Sequence, residues 1–342
     1  MKKIRAALPI LLLLATLLLL SACELFARES APGELVVHFI DVGQADSALL
    51  LCGDAAMLID GGNVADSRLV VAYLRQNGVE TLDYVVCTHA HEDHVGGLAG
   101  VLAVFETKHV LCPGVADTKA YHDFEKYAGE QGLALERPAT DSSFPLGSAV
   151  VTVLGPRADY ADLNNSSLVL RIDHGDVSFL FTGDAERESE TDILDAGADV
   201  RATVLKVGHH GSNSSSSYRW IYETEPLYAV ISVGDRNSYG HPHEEVMSRL
   251  HDAGVRVYRT DMQGHIVCTS DGADVSFRPA RNADAITNPQ PSAETRYIGN
   301  MNSQKFHRES CANLPAEQNR VYFAARSEAV AAGFEPCGSC KP

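Results

Sequence analysis

Positive charge and long apolar runs are both scarce in this chain of 342 residues. Lys and Arg number 28 against 45 Asp and Glu, a formal charge of −17. Affinity for polyanions comes mostly from Lys and Arg through counterion release, so this deficit excludes a surface that grips nucleic acid along its whole face. Charged residues are 21% and hydrophobic residues 45%, a balance that excludes wholesale disorder. The length accommodates about two domains of ~150 residues, or one large domain and a small one.

One apolar run stands out. Residues 6–23 carry no charge, Leu dominates residues 10–20, and Lys2, Lys3 and Arg5 precede them. A basic start, an apolar core and small closing residues mark residues 1–22 as a signal peptide, and the run falls short of the ~20 apolar residues of a membrane span. Leu20-Ser21-Ala22-Cys23 resembles the lipobox of bacterial lipoproteins. That resemblance implies a lipid on Cys23, contact with a membrane, and a place in the cell envelope outside the cytoplasm, with secretion as the alternative. Removing the peptide takes away three cations and no anion, leaving −20.

Residues 34–278 alternate strand-like apolar runs with helical spacing. Strands are expected at residues 34–40, 48–60, 82–87, 150–154, 167–172, 177–181, 203–207, 228–233 and 255–258. Helices are expected at 67–76, 121–131, 186–195 and 244–253, the last stopped by Gly254. The fold class is therefore α/β. Residues 279–295 hold three prolines and no aromatic residue and read as a linker. The remaining module, 296–342, carries six cations and four anions and is too small to bury much core without a metal or disulfides.

The strongest chemical signal is Thr88-His89-Ala90-His91-Glu92-Asp93-His94, between a strand and Gly96-Gly97. Three His and an Asp on a turn into a helix present nitrogen and oxygen ligands to two adjacent divalent ions, a mixed set that suits zinc or manganese. His89, His91, Asp93 and His94 match the HxHxDH signature, and here the sequence resembles the metallo-β-lactamase superfamily. Asp60 after a strand looks like its first motif and orients the His loop. Asp184 in Phe181-Thr182-Gly183-Asp184 looks like the Asp shared by both metals, and His209-His210-Gly211-Ser212 like the late His motif, with His209 favoured as the ligand and His210 the alternative. The resemblance implies an αββα sandwich. Asp41-Val42-Gly43-Gln44-Ala45-Asp46 and Asn237-Ser238-Tyr239-Gly240-His241-Pro242-His243 narrow it to ComEC-type hydrolase domains, which accompany DNA-uptake proteins. Ala45 stands where that group usually has Gly. Asn164-Asn165-Ser166-Ser167 replaces the superfamily's third-motif His, as it does in the ComEC-like group.

Two metals at such a site generate hydroxide near neutral pH and neutralise a phosphodiester's non-bridging oxygens. Asp93 serves there as a ligand and in catalysis. His241 or His243 is the expected proton donor to the leaving oxygen. Residues 212–217, Ser-rich, read equally as a phosphate cradle or as a flexible loop.

In the module, His307, Cys311, Cys337 and Cys340 form H-x3-C…C-x2-C, the spacing of a structural zinc site; disulfides are the competing chemistry in an exported protein. The segment resembles the Ada-type zinc-binding domain, with His307 in place of the first Cys, the methyl acceptor, so methyl transfer is not expected. Cys52, Cys87, Cys112 and Cys268 read as buried small hydrophobes. Together these readings point to an extracytoplasmic two-metal hydrolase acting on DNA or another phosphodiester. Hydrolysis of another ester, such as a phosphocholine ester or a lactone, and a non-catalytic DNA-binding lipoprotein are the alternatives. No protein partner is inferable.

Overall fold

Segments such as LVVHF, ALLLC and VSFLF, apolar at nearly every position, fit strands covered on both faces, and all three are buried throughout. A computed structural model describes residues 33–288, 297–309, 311–324 and 326–340. The signal-peptide and lipobox reading falls outside these residues. Strands β1 (Leu35–Phe39), β2 (Ala48–Cys52), β3 (Ala55–Ile59), β4 (Thr81–Val86), β5 (Glu106–Leu111), β6 (Leu135–Glu136), β14 (Ile266–Ser270) and β15 (Val275–Pro279) form one sheet, in the order β15–β14–β1–β2–β3–β4–β5–β6. Strands β7 (Ser143–Leu146), β8 (Ala149–Gly155), β9 (Val169–His174), β10 (Val177–Phe181), β11 (Val204–Lys206), β12 (Tyr228–Ile231) and β13 (Arg256–Arg259) form the second, in the order β13–β12–β11–β10–β9–β8–β7. The single run expected at 48–60 is a hairpin, β2 and β3, because Gly53 supplies the positive φ of a tight turn.

Three apolar clusters give the layering. Leu35, Phe39, Leu50, Met57, Leu170 and Phe179 pack between the sheets. On the outside of the first sheet lie α1 (Ser67–Gln76), α2 (Glu92–Val95), α3 (Leu98–Leu102) and α4 (Lys119–Glu130), which contribute Leu74, Val95, Leu98 and Phe124. The second sheet is covered by α5 (Arg187–Asp195), α6 (Tyr218–Thr224) and α7 (Glu244–Asp252) through Ile193, Trp220 and Leu250. This is the αββα order. Thr118 and Ser217 cap α4 and α6 by accepting the Tyr121 and Trp220 N–H groups. A last short helix of the large domain, α8 (Thr260–Gln263), follows β13.

Residues 280–288, read from composition as the start of a linker, are tied to the large domain: Ala280 and Arg281 donate to the His265 and Gln263 carbonyls, and Thr287 and Asn288 reach the outer edge of β13. Asn288 accepts the Val257 N–H at 3.0 Å and donates to the Val255 carbonyl at 2.6 Å, and Thr287 donates to the Val257 carbonyl. The C-terminal module is a four-stranded sheet of β16 (Tyr297–Asn300), β17 (Lys305–Arg308), β18 (Arg320–Phe323) and β19 (Glu335–Pro336), with α9 (Arg326–Ala331). Its core is little more than Tyr297, Phe306, Phe323, Ala329 and Phe334. It docks on the large domain through Arg326, 2% exposed, whose guanidinium lies 4.2 Å over the Tyr218 ring.

Two glycine pairs fix the His-rich loop. A Cβ on Gly97 would stand 2.0 Å from the Gly61 carbonyl oxygen, and one on Gly61 would stand 2.7 Å from the Leu98 nitrogen. The loop after β3 and the helix start after β4 thus touch backbone to backbone, tied by Gly61 N–H to His94 O and Gly97 N–H to Gly62 O. Replacement Gly97→Ala is expected to lower stability by about 2–3 kcal/mol, read from urea denaturation, since neither backbone has room to give way.

Candidate metal centre

Every segment of the site leaves the carboxyl end of a strand: Asp60 after β3, the His loop after β4, Asp184 after β10 and His209-His210 after β11. Asp184 is at the centre and 2% exposed. Its Oδ1 faces His94 Nε2 at 3.3 Å. Its Oδ2 is approached by His209 Nε2 at 3.6 Å and by His89 and His210 Nε2 at 3.8 Å. One ligand atom each from Asp93, His94, Asp184 and His210 lies within 4.8 Å of the others. His91 joins through His89, with its Nδ1 3.0 Å from His89 Nε2.

The donor set fits a cation. His94 Nε2 and Asp184 Oδ1 are buried and have no hydrogen-bond partner. Both His94 and His210 carry their proton on the far nitrogen. His94 Nδ1 donates to Asp60 Oδ2 at 2.8 Å, and His210 Nδ1 donates to the Ser232 carbonyl at 3.0 Å, so each Nε2 lone pair faces the carboxylates. Protons compete for the same Nε2 lone pairs. Burial opposes charge on His210, but Asp184 and Asp46 override it and raise the imidazole to about 10. Burial would also raise Asp93, yet the His210 hydrogen bond and His94 bring it down to about 2. Asp184 is likewise held well below the usual carboxylate range, with His94 and His210 outweighing its burial.

The sequence reading favoured His209 over His210. The geometry puts His210 in the four-atom group, while His209 sits at its side, with Nδ1 near Ser214 Oγ at 3.2 Å and Glu186 Oε1 at 3.4 Å. Both adopt a positive φ, 50° and 51°, a conformation costing roughly 1–2 kcal/mol per non-glycine residue, and with it both adjacent rings reach the same Asp184 oxygen, their centroids 6.1 Å apart. Asp60, grouped with the metal residues, stands one layer back. Its oxygens take the Thr88 N–H at 2.8 Å, the Thr88 hydroxyl at 2.7 Å and His94 Nδ1, so it holds a ligand from behind.

Sequence reasoning missed the matching support for His210. Asp46 Oδ1 lies 3.3 Å from His210 Nδ1, and its Oδ2 accepts from the buried Lys206 ammonium at 2.7 Å. The signal was present, since Asp46 closes the Asp41–Asp46 motif and Lys206 precedes the late His motif. The segment replacing the third-motif His also supports the centre from behind. Ser167 Oγ accepts the Asp184 N–H at 3.1 Å, and Asn165 Oδ1 accepts the Glu186 N–H at 3.1 Å. The Ser-rich loop is neither free nor open. Ser215 and Ser216 are buried and give their carbonyls to Arg249, and the Ser217 N–H goes to Glu190.

His241 and His243 form the rim. His241 packs on Tyr239, centroids 5.6 Å apart, and lies 5.7 Å from the His209 ring. Burial, then His243, His209 and His210, lower it to about 4. In the module, ligand atoms of His307, Cys311, Cys337 and Cys340 again lie within 4.8 Å of one another, and His307 Nε2 is a buried atom without a hydrogen-bond partner. Cys52, Cys87, Cys112 and Cys268 are buried free thiols. No helix among the described residues is long and apolar enough to cross a membrane.

The metallo-β-lactamase superfamily model matches residues 40–235, and that of the metal binding domain of Ada matches residues 281–342. ComE operon protein 3 of Bacillus subtilis is 34% identical over 69% of this chain and 33% of its own length. Competence protein ComA of Neisseria gonorrhoeae is 32% identical over 72% of this chain and 34% of its own. Recombination protein 2 of Haemophilus influenzae is 30% identical over 77% and 31%. The chain thus spans about a third of the length of these relatives. The metallo-β-lactamase fold protein YhfI of Bacillus subtilis superposes with a TM-score of 0.49 at 15% identity, over 69% of this chain and 99% of that one.

Elemental analysis of purified variants checks the two centres separately. His210→Ala and Asp184→Ala are expected to deplete metal from the large domain alone, and Cys337→Ser from the module alone. Asp46→Asn and Asp60→Asn are expected to weaken metal affinity about 10–100-fold without removing a ligand.

Proposed function

Because the chain belongs to the metallo-β-lactamase superfamily, we propose that it is a metal-dependent phosphodiesterase acting on DNA outside the cytoplasm, anchored by a lipid on Cys23. The convergence of Asp93, His94, Asp184 and His210 on one point carries the hydrolytic reading. His89, His91 and Asp184 would hold one divalent ion, and Asp93, His94, Asp184 and His210 the other, zinc or manganese. Bound there, the pair lowers the pKa of water and screens the non-bridging oxygens of a phosphodiester. The chain's own part is to hold these ligands from behind through Asp60 and Asp46, and to meet the leaving oxygen with His241 and His243.

DNA is favoured among phosphodiesters by relatives named for competence and recombination. Tyr239 adds support: it is 67% exposed beside His241, a ring on which an unpaired base can stack. The acidity of the chain limits where DNA binds. Two dications add about +4 at the site itself, so engagement is local and metal-centred, helped by the cationic module. That module, with one structural zinc on His307, Cys311, Cys337 and Cys340, completes the proposal.

Single-stranded DNA and bis(p-nitrophenyl) phosphate, offered to the metal-loaded protein, separate the readings. DNA degradation that is lost on chelation and in Asp184→Ala is the expected result. Turnover of small esters alone would assign it to them, and inertness with both ions bound would leave a binding protein. Tyr239→Ala is expected to raise KM for DNA about tenfold with the small diester unaffected, since a base stack contributes ~1–3 kcal/mol.

A further inference from the structure

The Asp41–Asp46 motif does more than close a turn. Gln44 Oε1 lies 3.1 Å from the Gly234 N–H, a group that can only donate, so the oxygen of the Gln44 amide must face it. The other end of the amide, its NH2, therefore faces His241 Nδ1, at 3.3 Å. An NH2 can only donate, so Nδ1 must present its lone pair, and the neutral ring carries its hydrogen on Nε2. His243 is set the same way by a backbone group: the Asn213 N–H meets its Nδ1 at 3.0 Å. The imidazoles thus fall into two classes. His94 and His210 donate from Nδ1 and offer Nε2 lone pairs, whereas His241 and His243 accept at Nδ1 and offer Nε2–H. Only the first class can ligate a metal through Nε2.

The frame around Gln44 is stiff enough to impose this choice. A Cβ on Gly234 would stand 2.7 Å from the Gln44 nitrogen, so the two backbones touch. Asn237 donates to the Gly234 and His241 carbonyls at 3.0 and 2.7 Å and accepts the His241 N–H at 3.0 Å. Two residues on, the Asp46 N–H bonds the Asp93 carbonyl at 3.1 Å, tying the same turn to the His loop.

We propose that Gln44 is a positioning residue that locks His241 in the Nε2–H form, making it a neutral hydrogen-bond donor to the substrate's leaving oxygen and barring it from replacing the missing third-motif ligand. The action on the leaving oxygen rests on the phosphodiesterase reading; the tautomer does not. Gln44→Glu is the discriminating change. A carboxylate still accepts from Gly234 but presents an acceptor to His241, which must then place a proton on Nδ1.

Long-range proton–nitrogen spectra of the zinc-loaded full chain, 15N-labelled at histidine and assigned with His241→Gln, read the tautomers directly. Wild type is expected to show Nε2–H at His241 and His243. In Gln44→Glu, His241 gains a proton on Nδ1 while His243 is unchanged, with metal content and melting temperature kept. Turnover of bis(p-nitrophenyl) phosphate is expected to fall about a hundredfold in kcat with KM held, the usual cost of a misdirected transition-state donor. Should the carboxylate destabilise the turn, Gln44→Met removes the donor at similar length, and its His241 is expected to show a mixture of tautomers. Nδ1–H in wild type, or a His241 signal indifferent to both substitutions, overturns the proposal, as does an unchanged kcat. Correct tautomers in a protein inert to every diester would instead overturn the phosphodiesterase reading and leave the tautomer lock standing.

Discussion

A carboxylate sealed from water among imidazoles is the constraint to which the rest of this structure answers. Removing Asp184 from solvent costs several kcal/mol unless positive charge stands beside it, and the ring nitrogens of His89, His94, His209 and His210 converge on its two oxygens to meet that demand. Neutral imidazoles alone do not supply the charge. Protons or cations must, which is why Asp184 and Asp46 lift His210 to about 10 against its burial and why its Nε2 lone pair is aimed inward.

Around that centre, a second ring of charges keeps the imidazoles in the right form. Asp60 and Asp46 stand behind His94 and His210, and each has its own restraint: Thr88 for Asp60, and the ammonium of Lys206 for Asp46. Breaking a buried pair such as Lys206–Asp46 would strand an ion in the interior, so the pair acts more as a register pin between β11 and the turn after β1 than as a source of stability. The glycines at 61 and 97 do the same for the backbone, by letting two loops meet where no side chain fits.

Much of this was legible before any coordinates. The His loop, Asp184 and the late His motif lie at strand ends, and apolar periodicity locates strand ends well. The four-residue Cys/His set of the module was legible for a different reason, because so small a core needs a cross-link. What escaped were relations across the chain. Nothing local to Asp46 says that Lys206 will be its partner, and nothing in the pair His209-His210 says which ring turns inward, since that depends on two left-handed backbone angles. Strands β5, β6, β7, β14 and β15, at or next to the sheet edges, also escaped, being short or mixed in polarity, and the composition of residues 279–295 concealed that Thr287 and Asn288 bind a strand edge.

That last attachment has a consequence for how the molecules behave in company. An exposed strand edge is a row of unpaired amides and carbonyls onto which another chain can add. In the second sheet, Thr287 and Asn288 take up the Val257 backbone of β13 and the Val255 carbonyl just before it, and the opposite edge strand, β7, contains Pro145, which has no amide hydrogen to offer. In the first sheet the outermost strands are a two-residue segment and one ending in Pro279. Edge-to-edge pairing is the hazard for a protein crowded at high local density; here side chains, proline and brevity interrupt the outermost strands of both sheets.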